Sequence, residues 1–125
     1  MNRTVCPKFL TAMQFIAKRW MFLIVHQLLQ GPKRFCEIEA ALPISARLLT
    51  ERLKELEKSG IVQRKVYTDS PNRVEYSLTE KGLALTPAIR ELEKWAQRFV
   101  EIENFSQDSP ITTVEKGRGK NKQVP

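Results

Sequence analysis

A mainly α-helical domain with one small β-hairpin is predicted by three features of this sequence. Apolar residues recur at helical spacing over most of residues 7 to 58, a stretch rich in β-branched and aromatic side chains follows over 61 to 78, and a second helical period runs from 79 to 102. With 125 residues, 42% of them hydrophobic, the chain has the size of one domain that closes its own core. Residues 1 to 105 are assigned to that domain. Beyond Phe105 the composition turns to Ser, Gln, Pro, Gly and Lys, which predicts a disordered basic tail over 106 to 125.

The first helix is placed from Pro7, whose fixed φ suits a first helical position, and carries Phe9, Met13 and Ile16 on one side. Cys6 then falls at or next to its N-cap. Trp20 to Leu29 (WMFLIVHQLL) is apolar on nearly all sides, the pattern of a buried central helix, and Gly31-Pro32 stops it. A short helix over 34 to 41 turns Phe35, Ile38 and Leu42 inward and ends at Pro43. Ser45 is a good N-cap for the next helix, which runs to Lys58 and closes on Gly60, with Leu49, Leu53 and Leu56 as its buried stripe.

Residues 61 to 67 and 74 to 78 read as the two strands of a hairpin, with Val74, Tyr76 and Leu78 alternating. Thr68 to Arg73 lies between them as a polar loop longer than a tight turn needs. Thr79 caps a further helix that Pro87 either bends or divides, Thr86 being the cap in the second case. Past it, Leu85, Ala88, Leu92, Trp95, Phe99 and Ile102 recur at spacings of three and four. That seam is apolar, and a domain this small has little of its own surface to cover it.

Two helices, a short helix, a turn, another helix and a hairpin form the order of a winged helix-turn-helix domain, and the apolar C-terminal seam calls for a partner subunit to cover it. The chain's charge agrees with that reading: 21 Lys and Arg against 14 Asp and Glu give +7, of which +5 stays on residues 1 to 105. Such a surface attracts polyanions, double-stranded DNA first. A helix that reads the major groove needs a buried stripe to hold it and short polar or basic side chains near its start. Ser45, Arg47, Thr50, Glu51 and Lys54 meet the second condition, and Arg64, Lys65 and Arg73 on the wing are placed to reach phosphates. The plainer reading makes Arg47, Glu51 and Lys54 a solvated face with an i to i+4 ion pair; the basic hairpin that follows favours DNA. Phe9, Leu92, Trp95, Phe99 and Ile102 are assigned to a homodimer interface.

Cys6 is the candidate redox-sensing residue, because the positive end of a helix dipole and the nearby Arg3 and Lys8 favour thiolate, the reactive form. A half-buried thiol that only packs is the alternative. Cys36, beside Phe35, is read first as a small core residue and second as a resolving thiol for Cys6 of another subunit. His26, in its apolar helix, is read as core.

Taken together, Cys6-Pro7, Arg19-Trp20, Gly31-Pro32-Lys33-Arg34-Phe35, Leu42-Pro43, Leu49 to Leu56 (LTERLKEL) and Arg73 to Thr79 (RVEYSLT) with Gly82 resemble the HxlR family of winged helix-turn-helix regulators, a MarR-like branch, over residues 6 to 103. The resemblance implies a homodimer joined through its first and last helices, with recognition helices one DNA turn apart on an inverted repeat. It also implies that a cysteine at the position of Cys6 senses quinones, aldehydes or oxidants. Two departures stand out. Ala17 replaces a glycine usual before the Arg-Trp pair, so the first and central helices are expected to run together more than in the common pattern, and Leu42 to Ile44 is one residue shorter than that pattern at the corner.

Other classes are poorly served. No apolar run reaches the roughly 20 residues that span a bilayer, and the start lacks a secretion signal, so a cytoplasmic protein without a membrane role is expected. One histidine and two cysteines offer no metal site, and no cofactor motif is present. An enzyme such as a thiol peroxidase would want a Cys-x-x-Cys pair, an activating histidine or a βαβ pattern, none of which is found. A DNA-binding regulator controlled by a small ligand, or lacking a thiol sensor, stays open beside the thiol switch, as does an RNA or membrane role for the basic surface.

Overall fold

Pro7 starts α1 (Pro7–Ile16) in the structure, a computed structural model that describes residues 4 to 102 apart from the side chains of Ser70 and Pro71. The proposed tail over 106 to 125 lies outside the described residues, as do positions 1 to 3 and 103 to 105. In chain order α2 (Met21–Leu28), α3 (Phe35–Ala41), α4 (Ala46–Lys58), β1 (Val62–Tyr67), β2 (Ser70–Leu78), α5 (Glu80–Leu83) and α6 (Thr86–Phe99) follow.

The first and central helices do not run together. α1 ends at Ile16 and the chain turns through Ala17 to Trp20, which takes a left-handed φ of 80° as the N-cap of α2. Bulky side chains rarely adopt that region. Burial of the indole and an Arg52 Nε donation to the Arg19 carbonyl at 2.9 Å hold the turn in place. α2 then supplies the centre of the core through Met21, Ile24, Val25 and Leu28. His26 is not core: its ring is half-buried and faces Glu93 on α6.

Ile38 and Leu42 point inward from α3, as expected, while Phe35 packs at the edge of the core. Cys36 is exposed, which corrects its reading as a core residue: one residue on from Phe35 is a rotation of about 100° around a helix, away from the face that Ile38 shares. The short corner after α3 is closed by Ile44 N–H donating to the Leu42 carbonyl at 2.8 Å, with both side chains buried.

α4 begins where Ser45 Oγ accepts the Leu48 N–H at 3.2 Å. It ends on Gly60, at φ +82°, with Gly60 N–H bonded to the Glu57 carbonyl and Ile61 N–H to that of Leu56. This Schellman closure calls for a left-handed residue, and glycine adopts it at no steric cost. Leu49, Leu53 and Leu56 are buried, and truncating any one of them to alanine costs about 2–5 kcal/mol by analogy with other cores.

β1 and β2 pair antiparallel from Val62↔Leu78 to Val66↔Val74, after which the register shifts and Tyr67 pairs with Ser70. The connection is therefore a tight turn at Thr68 and Asp69, and the irregularity lies inside β2. That corrects the expected six-residue polar loop. Lys33 and Tyr76 add an isolated bridge through two backbone bonds of 2.9 and 2.8 Å, giving β2 a partner on its other edge.

Thr79 caps α5 by accepting the Gly82 N–H at 3.2 Å. Pro87 divides the helical stretch, but the N-cap of α6 is Leu85; Thr86 is already helical and its hydroxyl donates to the Leu83 carbonyl at 2.6 Å. Ile89 anchors α6 in the core. The helix stops at Phe99, with Val100 extended, so Ile102 does not continue the helical seam as the spacing suggested.

Candidate nucleic-acid interface and thiol positions

Because α4 is fixed by its leucines, its other face is free to project from the domain. Arg47, Thr50, Glu51 and Lys54 are all exposed there, Arg47 to 90% of its side chain. Ser45, half-buried at the helix start, uses an oxygen lone pair for its cap and keeps its hydroxyl proton for another acceptor. The Thr50 hydroxyl donates back to the Ala46 carbonyl at 2.9 Å. Arg47 and Glu51 also form the plain i to i+4 ion pair, at 3.8 Å. Exposed pairs of this kind are worth little, so that contact leaves Arg47 available to a stronger anion.

On the hairpin the structure gathers a cluster that the sequence only partly anticipates. The Lys65 ammonium lies 4.7 Å and the Arg73 guanidinium 4.4 Å from the centre of the Tyr67 ring. The Tyr67 hydroxyl donates to Glu75 Oε1 at 2.8 Å, while Arg73 reaches Glu75 Oε2 at 3.3 Å. The Tyr67 hydrogen bond, followed by the Arg73 contact, holds the Glu75 carboxyl below its ordinary range, and the same bond to Glu75 lifts the Tyr67 phenol above its own. Tyr67 and Glu75 therefore orient both cations. Strand alternation sets Lys65 with Tyr67 and Arg73 with Glu75, and the Lys65↔Glu75 register, which alternation alone does not give, brings the two pairs to one face of the ribbon. Arg64, on the alternate face, stands apart from this group and is exposed.

Cys6 is the N-cap residue of α1, exposed, with its carbonyl accepting the Leu10 N–H at 2.9 Å. Cys36 is likewise an exposed thiol. The side chains assigned to a dimer interface are solvent-facing: Phe9 on α1 and Leu92, Trp95 and Phe99 on α6 are each more than half exposed, and Ile102 beyond the helix is too. The Trp95 and Phe99 rings meet at a tilt of 44°, with 5.9 Å between their centres. No helix among the described residues is long and apolar enough to cross a membrane.

A leucine-anchored helix with a polar outer face, followed by a cation-bearing hairpin and set in a helical core, defines a winged helix-turn-helix domain of the MarR-like kind. Comparison with known proteins agrees. The family model described as HxlR-like helix-turn-helix matches residues 15 to 104. The HTH-type transcriptional regulator YvaP of Bacillus subtilis (strain 168) is 53% identical over 103 residues, which cover 81% of this chain and 95% of YvaP. The quinone-bound crystal structure of YodB from B. subtilis superposes with a TM-score of 0.66 at 48% identity, over 76% of this chain and all of that one. The oxidised form of the redox regulator HypR gives 0.71 at 38% identity, over 78% and 100%. The chain belongs to the HxlR-like helix-turn-helix family and is a DNA-binding transcriptional regulator, not an enzyme.

Proposed function

We propose that this regulator binds an inverted-repeat operator as a homodimer in the cytoplasm and that modification of Cys6 changes its hold on DNA. Ser45, Arg47, Thr50, Glu51 and Lys54 read base edges, and Arg64, Lys65 and Arg73 hold phosphates. The observation that carries the DNA-reading part is the division of α4 between three buried leucines and an outer face that is exposed from Arg47 to Lys54. Homodimerisation is supported by the exposed aromatic surface of α6, because a monomer rarely leaves Leu92, Trp95 and Phe99 together in water.

Sensing through Cys6 is supported by its exposure at the start of α1 and by two relatives, a quinone-bound YodB and a redox regulator HypR with an oxidised form. With a quinone the step is conjugate addition: the Cys6 sulfur forms a bond to a ring carbon as the thiol proton passes to one quinone oxygen, and the hydrogen on that carbon then leaves as a proton for the other oxygen, giving an aromatic hydroquinone thioether. Cys36, exposed on α3, is the weaker second candidate, as a resolving thiol toward Cys6 of the other subunit. The test compares operator binding before and after diamide or a benzoquinone for the wild type and for Cys6→Ser. Loss of response in Cys6→Ser is expected; equal responses of both proteins would dispose of the switch.

A further inference from the structure

The corner that joins α1 to α2 grips α4 on one flank. Arg52 follows the exposed Glu51 and precedes the buried Leu53, so at about 100° per residue it stands between the outer face and the leucine stripe. Its side chain is 15% exposed, its Nε donates to the Arg19 carbonyl at 2.9 Å, and its Nη1 lies 3.5 Å from Glu55 Oε1. Glu55 in turn reaches the Lys18 ammonium at 3.2 Å. The acceptor is fixed as well. The peptide that carries the Arg19 carbonyl leads into the buried Trp20, whose φ of 80° is the one positive φ outside glycine among the described residues. A bulky residue stays in that region only where its surroundings over-determine it. We propose that Arg52 is a positioning residue for sequence recognition: its bond to the corner fixes the roll of α4 about its own axis, and with it the aim of Arg47 and Thr50 at base edges.

That inference rests on the reading of α4 as the helix that enters the groove. The leucine stripe leaves the roll loosely set, because apolar contacts are non-directional, whereas a hydrogen bond prefers a nearly straight donor angle. Magnitudes show that the roll matters. At a helix radius of about 5–6 Å, a roll of about 10° carries an atom at the rim about 1 Å sideways. Hydrogen bonds to base edges keep their length within about 0.5 Å. Arginine suits the place better than lysine, since its planar fork serves the carbonyl and the carboxylate at once from fixed directions. With both ends engaged and little surface exposed, Arg52 is not placed to hold a phosphate, which separates it from the outward-facing Arg47.

The test measures the affinity of the full chain for two labelled duplexes over a range of salt: the sequence that the wild type enriches most from a random pool, and a shuffled version of it. Arg52→Lys keeps a cation beside Glu55 and should fold like the wild type by circular dichroism. Its preference for the enriched duplex should fall about tenfold, the scale of one base contact. Its affinity for the shuffled duplex, and the salt dependence of that affinity, should stay unchanged. If Arg52→Lys fails to fold, Arg52→Met combined with Glu55→Gln removes both charges of that pair together and carries the same expectation. Lys18→Met leaves the Arg52 bond in place and should keep the full preference. A folded Arg52 variant that melts earlier yet discriminates as well as the wild type would overturn the proposal, since that is what a merely structural role gives. So would a fall in both affinities with a salt slope smaller by about one, the mark of a direct phosphate contact. An equal loss of preference in Lys18→Met would assign the effect to surface charge and overturn it too. A wild type that prefers neither duplex overturns the reading of α4 and this proposal with it, whereas a discriminating wild type beside an equally discriminating Arg52 variant overturns this proposal alone.

Discussion

His26 Nε2 lies 2.6 Å from Glu93 Oε2, a contact that ties the central helix α2 to the C-terminal helix α6 across 67 positions of sequence. An ionised carboxylate only accepts hydrogen bonds, so the imidazole nitrogen is the donor. That bond, and after it the bond from Arg90 at 3.0 Å, lowers the Glu93 carboxyl from its ordinary value of 4.5.

A carboxyl lowered by folding contributes stability that is present above its unfolded value and lost as the pH falls through its folded one. The urea midpoint of the wild type should therefore exceed that of Glu93→Gln at neutral pH, and the gap should close as the pH drops below 4.5. Paired urea titrations at neutral and acid pH check this. A gap that stays constant, or widens in acid, would show that the carboxylate form is not what holds α6 to α2.

Gly82 permits a close approach. A Cβ built there would stand 2.4 Å from the Ile61 carbonyl oxygen and 3.0 Å from Leu78 Cδ2. The nearest obstacle is backbone, which cannot swing aside as a side chain would. Gly82→Ala should destabilise the domain by about 2 kcal/mol, the scale of an overpacked core. Denaturant unfolding provides the check, and a substitution that leaves the midpoint unchanged would contradict the close packing of Gly82 against Ile61 and Leu78.

Trp95 is 57% exposed, so its side chain contributes little to the fold of one chain. Trp95→Glu should leave the far-ultraviolet circular dichroism intact while sedimentation shows the mass falling from two chains to one. Dimers that survive the substitution would move the interface away from the exposed face of α6.

Much of this fold was legible because each helix announces its ends locally. Pro7 opens α1, Ser45 caps α4 and Gly60 closes it, and the leucines of α4 keep a period that only one buried stripe satisfies. What escaped was set by tertiary partners. Trp20 takes a left-handed backbone because Arg52, 32 residues on, bonds the Arg19 carbonyl at the same turn, which no local rule foretells. β2 begins at Ser70 rather than Val74 because backbone pairing with Tyr67 overrides the poor strand propensity of Ser, Pro and Asn. Cys36 was drawn inward by its neighbour in sequence, although helical rotation turns it out. The apolar spacing continues to Ile102 although the helix does not, and Ile89, off the list of seam residues, is the one that α6 buries. Of the candidate site, the cations were readable and their orienting partners Tyr67 and Glu75 were not, because pairing across the ribbon depends on its register.

Selection of bound sequences from a random duplex pool tests the central claim most directly, with the wild type set beside Arg47→Ala and Lys65→Ala. The account expects two half-sites in inverted orientation with centres about 10 base pairs apart. Arg47→Ala should lose base preference within each half-site, while Lys65→Ala should keep the motif and weaken every sequence alike. A wild type that enriches no motif, or two variants that change the motif in the same way, would contradict the assignment of α4 as the helix that reads DNA.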